Sequence, residues 1–214
     1  GMLPGQVILD PELTINLPPH LTAATGMDAL SHNLEALCSP AWHPMATGIA
    51  MEGIRLVHDF LPVAVSDGRN IEARMHMLAA SSMGATAFQK GLGAMHALAH
   101  PLGAVYDAHH GLLNAILMPY VLQANETAIA PVITRAAAYL GLERKGFSGF
   151  LDWVLALRSS IGIPDSLAMI GIDDGQIARI SAMAVEDPSG AGNPIPFDAE
   201  QYARILQRAI AGEL

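Results

Sequence analysis

The chain has 214 residues, 51% of them hydrophobic and only 14% charged, with a formal net charge of −9. It is long enough to bury a core without disulfides and too apolar for disorder. Its 11 basic residues include only two lysines, Lys90 and Lys145, and form no cluster, which sets aside nucleic acid and anionic membrane surfaces as partners.

Cys38 is the single cysteine, so no intrachain disulfide forms and a reducing, cytoplasmic compartment is expected. No apolar run approaches the roughly 20 residues of a membrane span, and the first residues lack a secretory leader pattern.

Residues 1–20 contain Pro4, Pro11, Pro18 and Pro19, and proline disfavours helix in the residue before it. They read as a short extended N-terminal segment, with a helical domain over 21–214. Thr22 or Thr25 can cap a first helix running to about Leu37. Further helices fit His43 to Leu61 and Ile71 to Phe88, segments rich in Ala, Met and Leu. Gly91, Gly93, Pro101 and Gly103 then interrupt the pattern. Helical spacing resumes over Leu112 to Ala124 and Thr127 to Leu140, then over Phe147 to Ile161 and Asp174 to Val185. Asp187 to Pro196 reads as a loop. The last helix, Asp198 to Ala211, opens with Asp198 and Gln201 spaced as a capping pair. Apart from Gln6–Leu9, β-branched runs are rare, so the fold class is all-α.

Two anomalies carry the chemistry. Four of the nine histidines, His96, His100, His109 and His110, fall within 15 positions, and imidazole is the commonest metal ligand. Upstream, Asp28 and His32 stand four apart, on one helical face. On a continuous helix His96 and His110 would be roughly 21 Å apart. A break at Pro101 and Gly103 lets the chain turn back and bring them together. Asp28, His32, His96 and His110 then offer one carboxylate and three imidazoles, a set suited to Fe(II) or Zn(II) rather than Mg or Ca. Spacing alone leaves blander roles open: His100 as a helix C-cap, His109 as a solvated side chain, Cys38 as a small buried residue. His20, His43, His58 and His76 have no partner pattern and fall to surface or core packing. The 11 methionines read as core filler.

Other chemistries lack their residues. There is no G-x-S-x-G elbow and no G-x-x-x-x-G-K-[ST] phosphate loop. Gly91-Leu92-Gly93 begins like a dinucleotide fingerprint, but His96 stands where its third glycine belongs.

Gly26-x-Asp28-Ala29-x-x-His32-x-x-Glu35 resembles the first signature of the iron-containing alcohol dehydrogenases. The stretch from Gly91 through Met95-His96-Ala97-Leu98-Ala99-His100-Pro101-Leu102-Gly103 to His110-Gly111-x-x-Asn114 resembles the second. Val7 to Thr14 and Leu17-Pro18 are also similar to the family, and Gly212-Glu213-Leu214 is a weaker echo. The resemblance implies the multi-helix C-terminal domain shared with dehydroquinate synthase and glycerol dehydrogenase. It implies Asp28, His32, His96 and His110 as ligands of Fe(2+) or Zn(2+), and His100 as a catalytic group near the nicotinamide. For the complete enzyme it implies hydride transfer between a small alcohol or aldehyde and NAD(P), with the metal polarising the substrate oxygen. A homo-oligomer is expected.

Two departures stand out. No Gly-Gly-Gly-Ser turn for a cofactor pyrophosphate is present, so an N-terminal nucleotide-binding domain is read as absent and a cofactor-binding domain or subunit as a partner. Where the family often has Asn-Pro-Arg, this chain has Asn193-Pro194-Ile195-Pro196. The alternatives are a non-catalytic metal-binding helical protein, or a maleylacetate reductase or glycerol dehydrogenase relative.

Overall fold

In a computed structural model that describes residues 5–214, the chain forms eight α-helices and, among the described residues, no strand. The helices are α1 Pro19–Cys38, α2 Pro44–Ser66, α3 Ile71–Ala87, α4 Ala94–Tyr106, α5 His110–Tyr139, α6 Gly146–Ser160, α7 Ile177–Glu186 and α8 Ala199–Ala211. Short 3₁₀ turns at Pro11–Thr14, Phe88–Lys90, Ala168–Ile170, Asp174–Gln176 and Pro188–Gly192 join them.

α1 is the central helix, packed against α2, α3 and α5; α5 in turn meets α4, α6 and α8, and α7 bridges α4 and α8. Being surrounded explains why α1 buries Leu30 and Leu34 on one side and Ser31, Asn33 and Glu35 on others. The core runs from Leu30, Leu34, Ile54 and Leu61 through Leu98 and Leu102 to Leu113, Leu117 and Phe150.

Helix ends follow local chemistry. Proline opens α1, at the position where its missing N–H costs nothing. That places the start at Pro19 rather than at a threonine cap; Thr22 accepts from Arg74, and Thr25 bonds back to the Leu21 carbonyl. Asn70 caps α3, and the Asp198–Gln201 capping box opens α8 as expected. Two exposed histidines also act as caps: His43 Nδ1 accepts from Ala46 N, and His109 Nδ1 from Leu112 N.

Three expectations need correction. The break between His96 and His110 is not at Pro101 and Gly103, because α4 continues through both to Tyr106. Proline removes one helical bond, but buried neighbours on both sides, Ala97, Leu98, Ala99 and Leu102, hold the turn. The reversal lies at Asp107, in the left-handed conformation at φ 53°, and the chain folds back over Gly103. The two helices expected over 112–140 are one, α5, running through Pro119 and Pro131. Its polar midpoint is not a loop: Asn125 bonds within the helix to Val121 O and across it to Asn193. Likewise α2 passes Pro62 and ends at Ser66. Of the N-terminal prolines, Pro4 lies outside the described residues. Val7, Ile8 and Leu13 are exposed.

Arg74 ties this N-terminal part down. Its buried guanidinium donates to Gly68 O, Thr22 Oγ1 and Leu17 O at 2.9, 2.7 and 3.1 Å. Arg74→Met leaves Gly68 O and Thr22 Oγ1 without a donor inside the protein and Leu17 O with the Thr22 hydroxyl alone. The expected cost is about 2–3 kcal/mol, read as a lower urea midpoint with unchanged slope; an unchanged midpoint would remove Arg74 from this role.

Candidate metal centre

Three helices supply the cluster. α1 contributes Asp28 and His32 on one face, α4 contributes His96 and His100 one turn apart, and α5 contributes His110 as its first residue. Asp28 Oδ1 lies 3.5 Å from His110 Nε2 and 3.9 Å from His96 Nε2. Asp28, His96 and His110 each offer one ligand atom, all within 4.8 Å of one another. His32 sits beside this trio: its ring stacks on His96 at 4.7 Å and its Nδ1 is 4.0 Å from Asp28 Oδ2. Bonds of about 2.0–2.1 Å in a tetrahedral site put ligand atoms roughly 3.4 Å apart, so the trio stands close to coordinating distance.

The helices approach this closely because glycine lies at two crossings. A Cβ on Gly111 would fall 2.5 Å from the Ala24 carbonyl oxygen and 3.1 Å from Asp28 Cβ. A Cβ on Gly84 would fall 2.8 Å from His32 Cβ. Both glycines press against α1 at the residues that carry the site.

Asn114, one turn after His110, tests whether a cation fits. Its Nδ2 lies 2.8 Å from Asp28 Oδ1, 3.2 Å from His96 Nε2 and 3.1 Å from His110 Nε2. One amide group has two hydrogens for three acceptors, while its own Oδ1 is buried without a partner. The cluster is therefore rich in lone pairs and short of positive charge, as a cation site is.

Glu35 sets the state of His96. Its carboxylate accepts from Gly93 N, Met95 N and His96 Nδ1 at 2.8, 2.7 and 2.7 Å. A carboxylate on Nδ1–H leaves the Nε2 lone pair facing the cluster, the usual orientation of a metal-binding histidine. Burial pulls His96 down, but the Glu35 hydrogen bond and charge outweigh it and raise it. Burial lowers His32 and His110, which favours their neutral, ligating form.

His100 lies at the open edge. Its ring stacks on His110 at 5.4 Å, and its side chain is 44% exposed against 2% for His96. It is no C-cap, since α4 continues for six more residues. Its Nδ1 is 2.8 Å from Asp187 Oδ2. Burial pushes the Asp187 carboxyl up, but the Ser189 N–H and His100 outweigh it and hold it below the ordinary aspartate range.

Sequence reasoning gave no role to Glu35, Asn114, Asp187 or Asn193. Two had a signal. Glu35 follows Asp28 and His32 at helical spacing on one face, and Asn114 follows His110 by four. Asp187 had none, because its partner His100 lies 87 positions away, and Asn193 had only its place in the Asn-Pro motif, its partner Ala94 lying 99 positions away.

Residues 22–210 match the sequence model of the Fe-containing alcohol dehydrogenase family, C-terminal. The chain is 38% identical to the 4-hydroxybutyrate dehydrogenase of Cupriavidus necator, across 98% of this chain and 56% of that protein. It superposes on a crystal structure of a 1,3-propanediol oxidoreductase with TM-score 0.90 and 35% identity, covering 94% of this chain and 55% of that one. A maleylacetate reductase from a Rhizobium species gives TM-score 0.85 and 29% identity, covering 99% and 59%. The chain spans about half the length of the curated relatives it matches.

Gly111→Ala is expected to push α5 off α1 and cost about 1–3 kcal/mol, seen as a fall of several degrees in Tm; an unshifted Tm would show that this crossing has slack. Cys38, one turn beyond Glu35, has its thiol pushed up to about 12 by burial and by the Glu35 carboxylate. A higher pKa means less thiolate. Native protein at pH 8 is expected to react with a disulfide reagent on the order of a hundredfold more slowly than unfolded protein.

Proposed function

The chain belongs to the Fe-containing alcohol dehydrogenase family, whose C-terminal domain it carries, and from that premise we propose that it is the metal-binding half of an alcohol–aldehyde oxidoreductase. The observation that supports the reading is the convergence of Asp28, His96 and His110, with His32 stacked alongside. When bound, Fe(2+) or Zn(2+) would be held by these four side chains and supply Lewis acidity toward the substrate oxygen, and NAD(P) would supply the hydride-accepting ring.

The chain's own groups do the rest. Glu35 holds His96 with Nε2 forward, and Asn114 donates to the Asp28 carboxylate and orients it. The exposed rings of His100 and His110 mark the side from which an alcohol reaches the cluster. Oxidation of that alcohol forms C=O. The hydroxyl proton goes to His100 at the open edge of the cluster, while the carbon-bound hydrogen with its electron pair would be the hydride that NAD(P), when bound, accepts. An imidazole at the edge of the cluster, its Nδ1 held by Asp187, suits that proton step.

Exposed Val7, Ile8 and Leu13 are apolar surface of the kind a cofactor-binding domain or a second subunit covers. Among the described residues no helix is long and apolar enough to cross a membrane. The second reading is a metal-binding helical protein without catalysis, which the same cluster of donors also fits.

The chain loaded anaerobically with Fe(II) or Zn(II) is expected to keep about one ion after desalting. Ligation adds about 2.7 kcal/mol of stability at a hundredfold excess over Kd. His96→Ala is expected to lose both; unchanged metal content in that variant would sink the ligand set. Alcohol-dependent formation of NAD(P)H, followed by absorbance, separates the two readings, since the non-catalytic protein binds metal without turnover.

A further inference from the structure

His100 faces solvent in part, yet its ring is held. Its Nδ1 meets Asp187 Oδ2 at 2.8 Å, and the other oxygen, Oδ1, accepts the Ser189 N–H at 2.8 Å. The Asp187 side chain is mostly buried. The loop that presents it is pinned at its far end by Asn193, whose side chain accepts from Ala94 N and exchanges hydrogen bonds with Asn125. Asp187 is thus fixed between two anchored points and cannot turn away from the ring.

A carboxylate only accepts hydrogen bonds, so its partner nitrogen must carry the hydrogen. In a neutral imidazole the lone pair then falls on the other nitrogen. We propose that Asp187 is a positioning residue that locks His100 in the Nδ1–H tautomer and keeps Nε2 as the proton-accepting atom. The proposal deepens the proposed function and rests on it for the meaning of the proton step. The tautomer itself stands on the geometry of this chain.

Asp187→Asn gives a sharp test because the two oxygens have different jobs. The Ser189 N–H holds an oxygen in the Oδ1 place. The new amide therefore turns its Nδ2 hydrogens toward His100 Nδ1. That nitrogen must now accept, and the hydrogen moves to Nε2. A residue that merely capped the turn at Pro188–Gly192 would leave the ring's tautomer as it was.

The measurement is a long-range proton–nitrogen correlation spectrum of the histidine rings in the ¹⁵N-labelled chain. It is recorded at a pH well above the ordinary histidine range, with the His100 signals assigned by their loss in His100→Gln. In the unsubstituted chain His100 is expected with Nδ1 protonated and Nε2 bare. In Asp187→Asn the pattern is expected to reverse, and in Asp187→Glu, an acceptor again, to return to Nδ1–H. An Nε2–H ring in the unsubstituted chain, or an unchanged tautomer in Asp187→Asn, overturns the proposal. The spectrum of the unsubstituted chain decides even where a variant fails to fold. A parallel Zn(II) titration keeps the two readings apart. Failure of the chain to bind zinc counts against the proposed function, whereas unchanged zinc affinity with a reversed tautomer supports the assignment to Asp187.

Discussion

The buried Glu35 carboxylate is the interaction on which the centre depends. It reaches from α1 across to the start of α4 and accepts three hydrogen bonds there, from Gly93 N, Met95 N and His96 Nδ1. The first turn of α4 has no side-chain cap of its own. Its free N–H groups, with their partial positive charge, are satisfied by Glu35 and by Asn193. The same contact therefore starts a helix, fixes where α4 sits against α1, and sets which nitrogen of His96 faces the cluster. A buried carboxylate is costly unless it is fully bonded; here the helix start and the imidazole supply the bonds.

Distance then has to be controlled on the other two sides of α1. Gly84 and Gly111 do this by omission, since a methyl at either position would collide with the backbone or side chains that carry His32 and Asp28. Each donor of the cluster thus stands on a rigid helix, Asp28 and His32 on α1 itself and the others on helices packed closely against its neighbourhood rather than on a loop. The connection between α4 and α5 is short and turns at Asp107, so His110 starts α5 beside His100.

Exposure rises across the centre in one direction, from His96, through Asp28 and His32, to His110 and His100. The buried end is where the donor geometry is held most tightly, and the exposed end is where the cluster opens to solvent. The late loop closes one edge of that exposed end through Asp187, and its Asn193 bonds the same helix start that Glu35 caps. The centre is thereby braced by parts of the chain that are far apart in sequence.

Helix content and family were legible in the residues themselves. Ala-, Leu- and Met-rich segments without β-branched runs made an all-α domain, and the residue matches around Asp28 and His96 pointed to the family that the comparisons then established. The capping of α8 was also local and came out as read. Proline was the main source of error. Pro62 and Pro101 lie inside helices where an end and a break were expected, because packing of the neighbouring turns outweighs the one hydrogen bond each proline removes. Periodicity cannot see that, since it records which residues are apolar and not what packs on them. The same limit hid Asp187 and Asn193, whose partners are set by how α4 and α5 lie against the late loop. By itself the sequence determined the donor types and the faces of α1 and α5 that carry them. Only the tertiary structure decided which donors meet, because three helices approach closely enough only where glycine and the Glu35 bridge let them.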